Sequence, residues 1–253
     1  MRYLLRRLGF YLIAAWASVT LNFFIPRLMP GDPVQVLFAQ LQGKMEPQAM
    51  AAVREAFGFV EGPLYLQYFT YLNNLLHGNM GISVAYFPVP VLTVLKTGFV
   101  WTIYLVGVAT LISFVLGTLL GIVTAWRRGG WLDNVLPPVM MLFNAFPYFW
   151  LAMLALYTFA MELGWLPRGH AYDDSLRPGW DLAFFGSVLR HTILPASTLV
   201  VTAMGGWLLG MRNNMISTLS EDYITLAQAK GLSDRRVMFT YAARNALLPS
   251  ITG

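Results

Sequence analysis

The sequence predicts an all-α membrane protein that crosses the bilayer several times, and two observations support this. First, 57% of the 253 residues are hydrophobic and only 11% are charged, whereas a water-soluble domain carries about 25% charged residues. Second, the apolar residues are gathered in runs of about 20 or more, the length that a helix needs to cross a bilayer. Backbone groups in lipid must find their hydrogen-bond partners internally, so these runs are expected to be helices.

Four runs are long enough to span: residues 8–29, 100–126, 135–161 and 193–211. The basic start of the first run is shared with secretory signal peptides, but the run is too long and no small-residue cleavage site follows it. A fifth apolar stretch begins near Tyr241 and reaches the last residue, Gly253, before it is long enough to span. The sequence therefore predicts four complete spans and the start of a fifth.

Basic residues set the expected orientation and the division into two parts. Most of them lie in segments that are cytoplasmic if the N-terminus is cytoplasmic, which is the arrangement that the positive-inside rule favours. We expect residues 1–99 to hold the first span and an external amphipathic segment, with short helices at 50–57 and 64–76. Residues 100–253 are expected to form the core membrane domain, with an outer loop at 164–190 and a cytoplasmic loop at about 220–240.

Inside the spans, a few residues suggest packing or gating. Gly117 and Gly121 form a small-xxx-small pair that favours close helix packing, and Pro147 is expected to kink the third span. A polar group near the cytoplasmic end of the fourth span either lines an inner gate or simply marks the membrane interface; it consists of Arg212, Asn213 and Asn214.

A polar helical hairpin is predicted between the fourth and fifth apolar runs. Ser220 is a candidate N-cap, and Glu221 and Asp222 suit the positive end of a helix. Gly231 is expected to end that helix, and Ser233 to cap a second one that carries Arg235 and Arg236. The hairpin is either an ordinary surface loop or a docking element, in which Ala227, Ala229 and Gly231 would let a partner approach closely.

Few features of the sequence indicate an enzyme, a metal site or a nucleic-acid-binding protein. The chain has no cysteine and three histidines that are far apart in sequence, without the helical spacing of metal ligands. Its basic residues form no aromatic-interleaved stripe, so no nucleic-acid partner is expected. The sequence contains no G-x-x-x-x-G-K-[S/T] phosphate loop, so no nucleotide site is expected in this chain. A channel or secondary transporter would need internal repeats or buried ionisable residues, and the sequence shows no repeat and no charge inside the spans.

Several motifs resemble one family of transporters. They are MRYLLRRLGFYLI at the N-terminus, MPGDP at 29–33, GPLYLQYFTYLNNLLHGNMGIS at 62–83, FPYFWLAML in the third span, RHTILPA before the fourth, and EDYITLAQAKGLSDRRV in the hairpin. In this order they resemble the oligopeptide/dipeptide family of binding-protein-dependent ABC importer permeases, and the hairpin resembles its EAA loop. Two departures stand out: Thr225 and Leu226 occupy the first two EAA positions, and Tyr241 stands where the peptide branch often has histidine.

The resemblance implies a type I importer permease in a bacterial or archaeal plasma membrane, non-catalytic itself. It implies a second, distinct permease chain, two P-loop ATPase subunits that bind ATP and Mg²⁺, and an extracytoplasmic solute-binding protein. Peptides are the implied substrate, with oligosaccharides, nickel and glutathione as alternatives within the family. The residues implied to couple to the ATPases are Glu221, Asp222, Tyr223, Ala227, Ala229, Lys230, Gly231, Arg235 and Arg236.

Overall fold

The computed structural model describes residues 2–28, 62–83 and 85–252, and within these ranges the regular structure is helical. The only β-pairing in these ranges is an isolated bridge between Ile82 and Pro90. The helices are α1 (Arg2–Leu28), α2 (Leu64–Leu76), α3 (Val91–Trp126), α4 (Trp131–Ala145), α5 (Tyr148–Ala155), α6 (Leu182–Leu219), α7 (Asp222–Ala229), α8 (Asp234–Arg236) and α9 (Arg244–Thr252). Wider π-helical turns continue α5 over Leu156–Glu162 and α8 over Val237–Ala243. The all-α class is confirmed.

Contacts along the chain divide it into two compact units, Met1–Phe99 and Val100–Gly253. In the first, Phe23 of α1 is fully buried and its ring meets that of Tyr68 of α2 edge-on at a centroid distance of 5.2 Å. Thr20 Oγ1 and the Tyr68 hydroxyl share a hydrogen bond of 2.7 Å. The predicted helix at 64–76 is confirmed and ends before Gly78, whose φ is +74°. The short helix expected at 50–57 lies outside the described residues.

Among the described residues, three helices are long and apolar enough to cross a membrane: Tyr3–Leu28, Val91–Trp126 and Leu182–Leu219. Two of them extend well beyond the predicted bounds. The second begins at Val91 rather than at residue 100, and α6 starts at Leu182 rather than at 193 and continues past 211. The prediction ended the spans where polar residues begin. At 1.5 Å per residue, however, the 38-residue α6 is about 57 Å long. This exceeds the thickness of the hydrocarbon core, about 30 Å, so the polar ends of α6 project beyond it.

The third predicted span, residues 135–161, is not one continuous helix. Phe146 and Pro147 are extended, with ψ of 136° and 129°, and the pair Trp131–Ala145 and Tyr148–Glu162 is bent by 93°. A residue before proline is pushed out of the helical region, so two successive residues leave the helix and the segment breaks. The bend predicted at Pro147 is therefore present, as a break between two helices rather than a kink within one, and a fourth span is present only if this bent pair counts as one.

The loop between the bent pair and α6 is shorter than the predicted 164–190, because α6 begins at Leu182. Asp181 is the N-cap of α6, and its side chain accepts a bond of 2.7 Å from the backbone N–H of Phe184. Within the loop, Asp173 accepts from the hydroxyl and the backbone N–H of Ser175 at 2.7 and 2.9 Å. These bonds lower the pKa of Asp173 and hold the loop in a defined turn.

Candidate functional site

The helical hairpin is built into a buried cluster at one end of the second unit, which we call the hairpin core. It joins the C-terminal end of α3, the C-terminal part of α6, helix α7, the π-helical turns and α9. The cluster is formed by small and aliphatic side chains, so the backbones of these five segments approach closely. Its buried members are Ile122, Ala125, Met211, Met215, Ile224, Ala227, Val237, Ala242, Ala243 and Ala246.

Helix α7 has an inner and an outer face. Ile224 and Ala227, three positions apart, are 2% and 3% exposed and point into the hairpin core. The opposite side, which we call the outer face, has the i, i+3, i+4, i+7 spacing of one helical stripe. It consists of Asp222, Thr225, Leu226 and Ala229, all exposed. The prediction that Ala227 forms the docking contact is wrong, because this side chain is enclosed by its own chain.

The N-terminal end of α7 differs from the prediction, and its C-terminal end agrees with it. Ser220 belongs to the preceding helix as the C-cap of α6, and Glu221 is the N-cap of α7 without a side-chain capping bond. At the other end, Gly231 has φ of +73°. Its N–H donates to the Gln228 carbonyl, and the N–H of Leu232 donates to the Ala227 carbonyl. This is a Schellman motif, so the predicted helix stop at Gly231 is confirmed.

The second arm of the hairpin is tied back to α7 by Asn245. Its Nδ2 donates to the Tyr223 hydroxyl and to the Tyr241 carbonyl, both at 3.0 Å. Arg235 and Arg236 are exposed and, together with Ser233, Phe239 and Thr240, line a groove of about 500 Å³. The predicted two-helix hairpin is present, and Lys230 lies exposed at its turn as the C-cap of α7.

The residues proposed as an inner gate are largely used for bracing. Arg212 of α6 donates two hydrogen bonds to the carboxylate of Asp133 in α4: Nε donates to Oδ1 at 2.5 Å, and a second guanidinium nitrogen donates to Oδ2 at 3.0 Å. The side chain of Asp133 is 5% exposed and also accepts from the N–H of Gly129 at 2.9 Å. Asn214 donates to the Ala246 carbonyl at 3.1 Å, while Asn213 is exposed. Sequence reasoning missed Asp133 as a partner, because 79 positions separate the two charges.

Gly117 and Gly121 lie where α3 packs against α6. A Cβ atom at Gly117 would stand 2.6 Å from Cβ of Trp207, and one at Gly121 would stand 2.6 Å from the Leu208 carbonyl oxygen. Real Cβ atoms do not approach other atoms so closely, so the two helices can meet here only because both positions are glycine.

Replacing Gly121 by alanine is expected to lower the free energy of unfolding by about 1–3 kcal/mol, because overpacking forces the helices apart. The matched control is Gly107→Ala on the same helix, where a new Cβ meets nothing within 4 Å. That control is expected to be neutral or to stabilise by up to about 1 kcal/mol through helix propensity. Thermal unfolding of both variants in the same detergent measures the difference, and equal midpoints would contradict the packing argument.

Comparison with known proteins identifies the family. The model of the family described as "Binding-protein-dependent transport system inner membrane component" matches residues 117–253, and its N-terminal companion matches residues 1–114. The chain belongs to this family. It is therefore a multi-pass inner-membrane protein of the ABC permease class, as the resemblance implied.

Curated members of this permease family match over almost the whole chain. A di/tripeptide transport system permease protein of Pseudomonas aeruginosa is 33% identical over 263 positions, covering 99% of this chain and 77% of the relative. A probable D,D-dipeptide transport system permease protein of Escherichia coli is 34% identical, with 96% and 74% covered. An oligopeptide transport system permease protein of Bacillus subtilis is 30% identical, with 99% and 76% covered.

Proposed function

We propose that this permease forms half of the translocation path of an importer for short peptides, and that α7 passes the motion of an ATPase subunit to the membrane helices. The relatives named above are permeases of di-, tri- or oligopeptide transport systems, which favours peptides over oligosaccharides, nickel or glutathione. The complete importer comprises a second permease chain, two ATPase subunits that bind ATP and Mg²⁺, and a solute-binding protein. This chain supplies no catalytic residue.

The observation that carries the proposal is the two-faced character of α7. Its inner face is enclosed in the hairpin core, while Leu226 on the outer face is 55% exposed. A single exposed apolar side chain is common on protein surfaces, so the support comes from its position: Leu226 lies on the free face of a helix whose other face is enclosed by its own chain. The charged rim that surrounds such a contact is available here from Asp222, Lys230, Arg235 and Arg236, all exposed.

The connection from α7 to the membrane is short and well packed. Helix α6 ends at Leu219, and only Ser220 and Glu221 separate it from α7. Met211 and Met215 of α6 are almost completely buried, in the same core as Ile224 and Ala227. Packed interfaces respond to a push as rigid bodies rather than by continuous deformation. A displacement of α7 is therefore expected to move α6, and the Asp133–Arg212 pair carries α4 with it.

The test is purification of the tagged chain from mild detergent with its co-purifying chains, followed by reconstitution into liposomes. We expect a second permease and P-loop ATPases to co-purify, and uptake of a radiolabelled tripeptide to require the binding protein and internal ATP. The matched control omits the ATPase subunits and should show no uptake above empty liposomes. Equal uptake without them would contradict the proposal and favour a channel.

A further inference from the structure

A pocket of about 380 Å³ lies far from the hairpin, between α5, α6 and the loop at 163–181. Its volume is in the range of small-molecule sites, about 300–1,000 Å³. We call it the histidine pocket and define it by Phe149, Met153, Arg168, His170, His191 and Leu194, which are among its lining residues. The two helices contribute mostly apolar side chains, together with Tyr148, His191 and Thr198, and the loop contributes Arg168 and His170.

The two histidines have defined tautomers. His191 Nδ1 lies 2.8 Å from the Ser187 carbonyl oxygen, and His170 Nδ1 lies 2.7 Å from an oxygen of Asp174. Both partners only accept hydrogen bonds, so Nδ1 is the nitrogen that carries the proton in the neutral form of each ring, and Nε2 is then an acceptor. The pocket lining therefore includes two imidazole acceptors, with the carboxylate of Asp174 behind one of them.

Arg168 adds a positively charged hydrogen-bond donor to the pocket lining. Its side chain is exposed and makes no hydrogen bond or ion pair with any residue in the described ranges. A guanidinium is a fork of donors that matches a carboxylate with two parallel bonds. The same pocket lining thus holds a donor suited to an anion, imidazole nitrogens suited to a donor, and aromatic and aliphatic side chains.

We propose that the histidine pocket binds a short peptide as a zwitterion. The peptide carboxylate pairs with Arg168, its ammonium group donates to the imidazole acceptors, and its side chain lies against Phe149 and Met153. This inference rests on the proposed function, since it names the form of the peptide that the importer takes.

The position of the pocket agrees with this role. His191 and Met215 of the hairpin core lie about 36 Å apart along α6 at 1.5 Å per residue. The hydrocarbon core of a bilayer is about 30 Å thick, so the pocket and the hairpin lie at opposite membrane faces. With the ATPases at the hairpin, the pocket faces the side from which solute is delivered.

The test measures equilibrium binding of radiolabelled Ala-Phe to the purified complex in nanodiscs, without the solute-binding protein. We expect free Ala-Phe to bind about ten- to a hundredfold more tightly than its C-terminal amide, the usual contribution of a hydrogen-bonded charge. N-acetylation should weaken binding by at least several-fold. Arg168→Gln is expected to abolish the preference for the free carboxylate, whereas Arg177→Gln, exposed in the same loop and absent from the pocket lining, should retain it.

Two results would overturn the inference: wild-type complex that binds the amide as well as the free peptide or binds neither, and Arg168→Gln complex that keeps the wild-type preference. ATP-dependent uptake of Ala-Phe by the same complex, measured in liposomes with its binding protein, distinguishes a failure of the pocket assignment from a failure of the proposed function. Normal uptake with no role for Arg168 removes only the pocket assignment. Absence of uptake in the wild type removes the proposed function, and the binding result is then judged by itself.

Discussion

Replacing Arg212 by glutamine is expected to lower the free energy of unfolding by about 3–5 kcal/mol, the usual cost of removing one partner from a buried ion pair. The variant leaves the carboxylate of Asp133 with one hydrogen bond among the described residues, from the N–H of Gly129, and with the more distant charge of Arg128, in a place where its side chain is only 5% exposed. The same change also disconnects α4 from α6. We therefore expect a lower yield of folded protein and a clear fall in the unfolding midpoint in detergent.

The control for Arg212→Gln is Arg128→Gln, which removes a nearby exposed charge and should change the midpoint little. The double variant Asp133→Leu with Arg212→Met replaces the pair by apolar groups and should recover most of the lost stability, because no buried charge then lacks a partner. An Arg212→Gln protein as stable as the Arg128→Gln protein would show that the pair does not brace the two helices.

The apolar runs and the glycine stop were predictable because they depend on local physics. Long hydrophobic runs have one stable form in lipid, and Gly231 is the residue type that most readily adopts φ of +73° at a helix end. Helix α2 agrees with its predicted bounds for the same reason, since Pro63 precedes it and Gly78 follows it. These features could be predicted from short stretches of sequence without knowledge of what packs against them.

The errors arise where tertiary contacts decide the outcome. The pairing of Asp133 with Arg212 joins segments 79 positions apart, and no periodicity reports it. Helix α7 is eight residues long and carries alanine at both 227 and 229, so its sequence does not tell which alanine is enclosed. The length of α6 was underestimated because charged residues near positions 190 and 212 resemble span ends, although the helix continues past both.

Leu226→Asp is expected to weaken association with the ATPase subunits by at least about 30-fold, the loss of a central contact of 2 kcal/mol or more. The side chain is 55% exposed in the isolated chain and stands at the centre of the outer face, between Asp222 and Ala229. A carboxylate there would have to lose its water in the interface without a partner. ATP-dependent peptide uptake should fall in parallel, because in the proposed function α7 passes the motion of the ATPase to the membrane helices.

The matched control is Gln228→Asp, which introduces the same charge on the same helix at an exposed position off the outer face. Both variants carry the small penalty of an acid near a helix C-terminus, about 0.3–1 kcal/mol, so the difference between them isolates the docking contact. Ile224→Ala is a third comparison, since truncating a buried side chain should cost about 2–5 kcal/mol of stability. If the outer face is the docking surface, Leu226→Asp keeps a normal unfolding midpoint and loses the ATPases, whereas Ile224→Ala lowers the midpoint. Equal ATPase binding by Leu226→Asp and Gln228→Asp would place the docking surface elsewhere on the hairpin, with the groove beside Arg235 as the next surface to test.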